Sequence, residues 1–530
     1  MTSWRHAFSL PKHAVADATP QGTVKFIDRE AADAESVAGV HDTLKWPRPS
    51  TDPADPLNWS VWRKTAILIL SSIYAFVANY SSSNIAPALQ LWKYTFPNDP
   101  RPYPELVRLI AVNALFLGAS SIWWVPLSNK FGRRPVLLVA TLVLTLSTVW
   151  CGVAKSYGSL MAARIFQGIG GGAADTVSPA LIGDIYFLDQ RGRAMAVYTT
   201  LLCAGPIAGG IAGGYIGFQL GWAYNFWVGT ALAGFCFLGT ALLVPETLYT
   251  RIQPTEDTNR DGIASDGGCE KTEAQATEIE RQPSQDYPPY TLSRALGFGP
   301  IREGFIQHLW QPWTTLALPG TWVVMLHYSG LVGGVVTIST ISAQLVAMPP
   351  YIWGANAGLI NVGALIGTIF GALYTYLLSD SRLRRNARAT THGLAEPEGR
   401  LPTMFLPLAI STTGFFVFGL CAQYPGHNRW VGLELGYGMV TFGLMQVPSV
   451  GFNYLMDSYG HLAADCFVMV TIMRSIIAFA WTFFVAEWVE HKGAAEAFGV
   501  FGMLMGIFSL LTVPLWLYGK RMRIARGPDV

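Results

Sequence analysis

The sequence predicts an all-α protein that crosses a membrane twelve times, in two halves of six helices each. Of its 530 residues, 51% are hydrophobic and only 13% are charged, whereas soluble proteins have roughly 25% charged residues. The mean hydropathy is +0.32. Apolar stretches of the length needed to cross a bilayer occur at 65–88, 106–127, 135–154, 158–185, 192–218, 223–244, 313–338, 354–378, 403–422, 430–454, 464–487 and 494–518.

A polar, low-complexity segment separates the first six predicted spans from the last six. Its composition is typical of a disordered linker. The end of this segment, 293–313, is apolar enough to lie on the membrane surface as an interfacial helix, or it leads directly into span 7. We therefore predict a largely disordered tail at 1–64, a six-helix half at 65–244, a linker at 245–312, a second six-helix half at 313–519 and a tail at 520–530.

The distribution of positive charge predicts the orientation. Most of the 36 Lys and Arg residues lie in segments on the same side as both termini, so both termini and the linker are expected in the cytosol. The first 60 residues contain no short apolar run with a cleavage site, so we expect no signal peptide. The basic residues flank spans and give no nucleic-acid signal, and the six cysteines have neither metal-ligand nor disulfide spacing. We expect no metal and no cofactor.

Two small-residue ladders stand out among the predicted spans. In span 5, Gly205, Gly209 and Gly213 recur every fourth residue, with Pro206 and Gly210 among them. Such spacing forms a strip without side chains against which another helix can lie, and the proline bends the helix. Span 8 has a similar ladder, which consists of Gly363, Gly367 and Gly371.

Ionisable residues inside spans are costly and need a reason. Arg164 and Asp175 are eleven residues apart on span 4, so they share a face about 16 Å apart along the axis and both can line a central cavity. We interpret Asp175 as the proton-carrying carboxylate or a cation contact, because a low dielectric favours the neutral carboxyl; the alternative is a carboxylate hydrogen-bonded to Thr176, Ser178 or a neighbouring helix. Arg474 either offsets a carboxylate of another helix or serves an anionic substrate.

Five local motifs together resemble those of the major facilitator superfamily, specifically its fungal twelve-span drug:proton antiporters. The segment PLSNKFGRRP resembles the family's loop between spans 2 and 3. The segment RIFQGIGGG resembles its span 4 signature, and AGPIAGG resembles its span 5 antiporter signature. The other two matches end spans 6 and 12. The five segments are 126–135, 164–172, 204–210, 245–247 and 518–523.

The resemblance implies a network of charged residues on the cytosolic side that holds one conformation, which we call the latch. It also implies a moving interface between the halves. Where the family has an acidic latch residue the chain has Asn129, so the latch is weaker or uses another carboxylate, with Asp184 as the nearest candidate. In this superfamily spans 5 and 8 face each other across the halves, so the two glycine ladders would meet and slide; alternatively, each only permits tight packing within one half. The remaining predicted latch residues are Gly132, Arg133 and Arg134.

The resemblance also implies functional roles for residues near the centre of the bundle. The family's counterpart of Arg164 has been linked to proton transfer, although a structural carbonyl clamp is the alternative. By analogy with the fold, spans 1, 4, 7 and 10 line the substrate cavity. This analogy indicates six cavity residues: Asn79, Tyr80, Asn84, His327, Tyr328 and Gln446. The histidine is a candidate second proton carrier, because its side chain titrates near physiological pH.

The function predicted is proton-coupled export of small organic compounds by alternating access, driven by the proton gradient. Uptake or exchange of a cationic nutrient such as a polyamine is the first alternative, and a membrane sensor is the second. An enzyme is not expected, because HExxH, Walker-loop and GxSxG patterns are not found. The predicted partners are a small-molecule substrate and the lipid bilayer, with the monomer as the functional unit and the plasma membrane, rather than the vacuolar or another internal membrane, as its location.

Overall fold

The computed structural model describes residues 52–249, 305–389 and 394–526, apart from Pro97, together with short pieces of the first 50 residues. It is nearly all helix. The helices that form the first six spans are Val61–Ser83, Tyr103–Phe131, Arg133–Val153, Tyr157–Ile185, Leu188–Leu220 and Trp222–Leu243. Those of the last six are Pro319–Ala347, Val362–Ala389, Phe405–Gln423, Trp430–Leu444 with Phe452–Tyr459, Ala463–Lys492, and Ala494–Leu510 with Thr512–Arg526.

Ten helices in the described part of the chain are long and apolar enough to cross a membrane. Spans 4 and 10 fall short for different reasons. Span 4 contains a run of glycines and buried Arg164 and Asp175, which lower its hydropathy. Span 10 is broken by a π-helical turn at Val447–Gly451. Such irregular or polar helices are tolerated at membrane depth where protein rather than lipid surrounds them, and the two complete the twelve-helix bundle.

Spans 1 and 7 each begin at the same face of the bundle, which also carries the end of span 12; we call it the tail face, and the opposite one the far face. Within the halves, span 1 packs on span 5, span 3 on span 4, span 7 on span 11 and span 9 on span 10. Between the halves, span 5 packs on span 8 and on the 3-10 helix before it, Gly354–Asn361, while span 2 packs on span 11. The halves therefore meet along two helix pairs.

Several boundaries differ from those expected. Most of the predicted linker, 251–304, lies outside the described residues. Phe305–Thr314 is a separate helix that packs on spans 2 and 11, and span 7 begins only at Pro319. Span 12 continues as a helix to Arg526, past the predicted end at residue 519. A short two-stranded sheet pairs β1, Val24–Lys25, with β2, Leu394–Ala395, so a piece of the amino-terminal tail contacts the second half.

The glycine ladder of span 5 packs against span 1, not against span 8. A Cβ atom on Gly209 would lie 2.6 Å from the carbonyl oxygen of Tyr80, and one on Gly205 would lie 2.5 Å from that of Phe76. Gly213 is similarly closed by the backbone of Asn84. The ladder is therefore a contact inside the first half, where two helices approach too closely for any side chain.

The ladder of span 8 likewise lies within the second half. Gly367 and Gly371 face Gly438 and Met445 of span 10, and Gly363 faces the backbone of the same span. The predicted contact between the two ladders is thus wrong. Small-residue spacing shows that some backbone approaches closely, but it does not specify which of several neighbouring helices supplies that backbone.

Span 5 nevertheless meets span 8 and the 3-10 helix before it, through a different face of span 5. A Cβ on Gly210 would lie 2.7 Å from the side-chain nitrogen of Asn361, and one on Gly214 would lie 3.2 Å from the backbone nitrogen of Gly358. Gly210 is the one predicted interface glycine that faces the other half. The close contact between halves therefore involves the face one residue further along the helix, about 100° around its axis from the ladder.

Candidate functional site: the central cavity and its ion pair

A cavity lies between the two halves at mid-membrane. It is lined by spans 1, 2, 5, 7, 10 and 11 and contains both polar and aromatic side chains. Its free volume is about 60 Å³, which admits water but is far below the roughly 300–1,000 Å³ of a drug-sized ligand site. The lining residues used below are Asn79, Ser82, Pro206, Tyr328, Tyr437, Arg474 and Ser475.

Contacts between the halves close the cavity at both faces of the membrane. At the tail face, Arg191 of span 5 lies 3.5 Å from Asp457 of span 10. At the far face, the Tyr215 hydroxyl donates a hydrogen bond of 2.9 Å to Asn356, and the Tyr103 hydroxyl donates one of 3.2 Å to the carbonyl of span 7 residue Thr340. The structure is therefore an occluded state with a contracted cavity.

An ion pair between Asp175 of span 4 and Arg474 of span 11 joins the halves beside this cavity. Both residues are almost completely buried, with exposed fractions of 2% and 4%. The Asn79 amide donates a weak hydrogen bond of 3.4 Å to the other carboxylate oxygen. The Arg474 guanidinium also lies 5.2 Å from the ring centre of Tyr328, a distance at which cation–π attraction contributes.

The buried Nε of Arg474 has no hydrogen-bond acceptor in the described part of the chain. Arg474 itself lines the cavity, whereas Asp175 is not part of the lining. The alternative to a proton-carrying role for Asp175 is a carboxylate bonded to Thr176, Ser178 or a neighbouring helix. The structure shows partners on neighbouring helices, namely Arg474 and Asn79. The Thr176 hydroxyl bonds its own helix at the Gly172 carbonyl instead.

Close packing of span 4 on span 2 helps to position Asp175. A Cβ on Gly168 would lie 2.6 Å from the Asn113 carbonyl oxygen, and one on Gly172 would lie 2.5 Å from that of Leu117. Span 2 also packs on span 11, which carries Arg474. The glycines of span 4 therefore bring its carboxylate within reach of a guanidinium that belongs to the other half.

Arg164 makes the contacts of a carbonyl clamp. Its Nη1 donates to the Ser81 carbonyl at 2.6 Å and its Nη2 to the Ser82 carbonyl at 2.7 Å, while Nε donates to Leu109 at 3.3 Å. Span 1 ends at Ser83, and the last carbonyls of a helix have no partner within it. The side chain is fully buried and does not line the cavity, so the expectation that it would is wrong for this state.

Two of the six residues predicted to line the cavity do so, namely Asn79 and Tyr328. Their sequence neighbours Tyr80 and His327 do not, because consecutive helical residues point about 100° apart. Tyr80 stacks on Phe76 of its own helix. The His327 Nε2 donates a hydrogen bond of 2.7 Å to the span 12 carbonyl of Phe508.

The other two predicted cavity residues also bond to neighbouring helices within their own half. The Asn84 amide donates to the Asn225 carbonyl of span 6 at 3.1 Å, and the Gln446 amide donates to the Thr375 hydroxyl of span 8 at 2.8 Å. In a bundle, both sides of a helix are buried, so a polar residue satisfies its hydrogen bonds wherever a helix lies closest. The prediction that these four residues line the cavity is therefore wrong in this structure.

Comparison with known proteins decides the family. The sequence profile of the Major Facilitator Superfamily matches residues 70–513. The chain belongs to the major facilitator superfamily. It is accordingly a multi-pass membrane transporter and not an enzyme.

Relatives and solved structures agree with this assignment. A transporter of Schizosaccharomyces pombe is 29% identical over 91% of this chain and 93% of its own, and a multidrug transporter of Candida glabrata is 26% identical over 89% and 78%. The structure of the proton:xylose symporter XylE has a similar fold, with a TM-score of 0.58 and 15% identity over 87% of this chain and 96% of that one.

The residues that we predicted to form a latch make a cluster of contacts at the tail face. Arg133 lies 3.4 Å from the Asp184 carboxylate and donates a hydrogen bond of 2.8 Å to the side-chain oxygen of Asn129. The backbone amides of Arg133 and Arg134 donate to the Glu246 carboxylate at 2.9 and 3.2 Å, where the amino terminus of span 3 favours negative charge. All of these contacts lie within the first half.

Gly132 is required by this cluster for two reasons. Its φ of +106° is in the region that favours glycine, and any Cβ atom would collide with the Glu246 side chain. The sequence motif ending span 6 contains Glu246, but its contacts with this cluster were not predicted. The signal that was missed is an acidic residue following a span at the face that carries a basic loop.

The second half has a similar cluster, at the end of span 12. Arg523 makes a bidentate ion pair with Glu398, at 2.8 and 2.6 Å, and Lys520 lies 2.6 Å from Glu396. A group of basic residues near the end of span 8 has side chains outside the described residues; they are Arg382, Arg384, Arg385 and Arg388.

Proposed function

We propose that this transporter couples a proton gradient to the export of small organic compounds, through alternating access of the central cavity. The observation that carries the proposal is the buried Asp175–Arg474 ion pair, which joins the two halves beside that cavity. An ion pair between two moving bodies is a device that protonation can break. Names of relatives, among them a multidrug transporter, support export over import.

Asp175 is proposed to have three mutually exclusive partners: Arg474, a proton, and a cationic or hydrogen-bonding group of the substrate. Protonation removes the charge that Arg474 compensates, and separating one partner of a buried pair costs about 3–5 kcal/mol. That cost is reduced if the guanidinium stays on the Tyr328 ring and donates through Nε to a substrate or water. Binding a proton or a substrate therefore loosens the same contact between the halves.

Movement between states requires the contacts at the two faces to break in turn. Opening the tail face breaks the Arg191–Asp457 pair, and opening the far face breaks the Tyr215–Asn356 hydrogen bond. Arg164 is assigned a positioning role, because its donors are occupied by backbone carbonyls of spans 1 and 2. The proton site proposed is thus Asp175 alone.

Uptake or exchange of a cationic nutrient such as a polyamine is the second candidate. It is favoured by the same buried carboxylate, which a protonated amine can bind in place of Arg474. In both versions the monomer is proposed as the functional unit, the proton gradient as the only energy source, and the plasma membrane as the location, with both termini in the cytosol.

The test is expression in a transporter-deficient fungal host that is exposed to a panel of toxic organic compounds and polyamines at two external pH values. Resistance with lower accumulation supports export, whereas sensitivity with higher accumulation supports uptake. Asp175→Asn is expected to abolish the pH dependence, and Asp175→Glu to keep part of it. Transport by Asp175→Asn that retains the wild-type pH dependence would refute the proposed proton site.

A further inference from the structure

A second cavity opens toward the lipid on the outer side of the second half, between spans 8 and 10. Its free volume is about 450 Å³, much larger than that of the central cavity and within the range of a site for a drug-sized molecule. We call it the lateral groove; the lining residues used below are Gly363, Phe370, Glu434, Leu435, Gly438 and Phe442.

Glycine contacts create the lateral groove. The Cβ position of Gly438 lies 2.7 Å from the carbonyl oxygen of Gly363, and the Thr441 hydroxyl donates to the Ala364 carbonyl at 2.9 Å. Spans 8 and 10 therefore touch along their backbones. Large side chains on either side, such as Phe370 and Leu435, are 60% and 59% exposed and form the walls.

Glu434 is the only charged residue among those that line the groove. Its side chain is half-buried, and no hydrogen bond or ion pair joins its carboxylate to any other described residue. It lies four residues after Trp430, where span 10 begins, so it is about 6 Å inside the helix. A carboxylate bordering hydrocarbon is costly unless a cation offsets its charge.

The lining identifies the chemistry of the occupant. One carboxylate at one end matches a single positive charge, and the apolar walls, which extend about 12 Å further to Phe442, match an apolar body. The lining contains no Lys or Arg that would bind a phosphate, so a phospholipid headgroup would place its phosphate beside Glu434 without compensation. Charge complementarity thus favours a lipophilic cation over a phospholipid.

We propose that the lateral groove binds a lipophilic organic cation, with its positive centre against Glu434 and its apolar body between spans 8 and 10. This site is separate from the central cavity, which contacts another face of span 10 through Tyr437 and Leu444. The proposal is independent of the direction and coupling of transport. It predicts that cations dissolved in the membrane bind the transporter without entering its occluded centre.

The experiment measures equilibrium binding of radiolabelled tetraphenylphosphonium to the full-length protein in phosphatidylcholine nanodiscs. Tetraphenylborate, which has the same shape and the opposite charge, controls for partition into lipid. We expect saturable binding of the cation by the wild type, at least about tenfold weaker binding by Glu434→Gln because the compensating charge is gone, and no saturable binding of the anion.

Two further variants locate the binding. Leu435→Trp narrows the groove from a position exposed to lipid, so folding is preserved and binding is expected to weaken similarly. Glu487→Gln removes an exposed carboxylate of span 11 outside the groove and is expected to bind the cation normally. Unchanged binding of the cation by Glu434→Gln or by Leu435→Trp overturns the proposal. It is also overturned if the wild type binds no more cation than empty nanodiscs do. A phosphatidylethanolamine that co-purifies with the wild type and is not displaced by the cation would overturn it as well.

Discussion

Arg474 on span 11 pairs with Asp175 on span 4, so a buried ion pair connects the two halves of the transporter beside its central cavity. The two residues are separated by 299 positions in the chain. In the occluded state the pair satisfies two charges that are almost completely buried in the protein. Separating the halves at this point leaves two buried charges without their partners, and the proposed coupling of protonation to movement rests on that cost.

The first prediction concerns the stability of this pair. Asp175→Asn and Arg474→Gln each leave one buried polar or charged group without its partner, so each is expected to lower stability by about 3–5 kcal/mol. The double variant should lose less than the sum, because both charges are then absent. Thermal unfolding of the purified variants in one detergent measures the coupling. Strictly additive losses would mean that the two charges do not interact in the protein.

The second prediction distinguishes the two faces of span 5. Gly209→Leu should reduce the yield of folded protein, because its Cβ position lies 2.6 Å from the Tyr80 carbonyl oxygen and overpacking costs about 1–3 kcal/mol or more. Gly214→Ala, at the contact with Gly358 of the other half, should fold normally but transport more slowly. Size-exclusion profiles and initial transport rates measure the two effects.

The opposite pattern, with normal yield and lost transport for Gly209→Leu, would show that the ladder moves during transport. That outcome would mean that span 1 moves relative to span 5 within one half.

The third prediction concerns closure at the tail face. Asp457 accepts contacts from Arg191 of the first half and from Arg400 of the second, at 3.5 and 3.2 Å. Asp457→Asn should therefore weaken closure and increase hydrogen–deuterium exchange at the start of span 5 and the end of span 10. Asp184→Asn is the matched control, because Asp184 pairs with Arg133 of its own half and should affect exchange only there. Equal exchange at both helix ends in the wild type and Asp457→Asn would contradict the proposed closure.

The fourth prediction concerns His327, which a sequence-based argument makes a second proton carrier. Its ring donates to the Phe508 carbonyl of span 12 and lies outside the cavity lining. His327→Gln should therefore leave the pH profile of transport unchanged, although a lost or distorted hydrogen bond could lower stability by about 1 kcal/mol. A displaced pH midpoint in transport measurements on reconstituted protein would assign the histidine a role in coupling.

Particular residues show how far sequence reasoning extends. The basic motif after span 2 predicts a charge cluster at Arg133, with Asp184 as the nearest candidate carboxylate, and the structure places the Asp184 carboxylate 3.4 Å from Arg133. The contacts of Glu246 with the backbone of this motif were not predicted. Asp175 was singled out because a carboxylate within a span needs a compensating group, and one alternative for Arg474 was that it offsets a carboxylate of another helix. The pairing of these two residues with each other could not be predicted, since it depends on the distance between two helices.

Residues such as Tyr80, Asn84, His327 and Gln446 show the opposite case. Their helices were correctly expected near the cavity, but the rotation of each helix directs these side chains to neighbouring helices. A rotation of 100° separates a cavity residue from the next one in the chain. In a bundle where all sides are apolar, the hydrophobic pattern does not determine that rotation.

The sequence by itself determined the membrane class, the twelve spans, the division into two halves and the family, because these follow from composition, length and contiguous motifs. The tertiary structure alone decided that the glycine ladders are contacts within halves, that Arg164 is a clamp, and that Asp175 and Arg474 join the halves. Composition and spacing are properties of a segment, whereas each of these outcomes depends on which surfaces of separate segments face each other across a few ångströms.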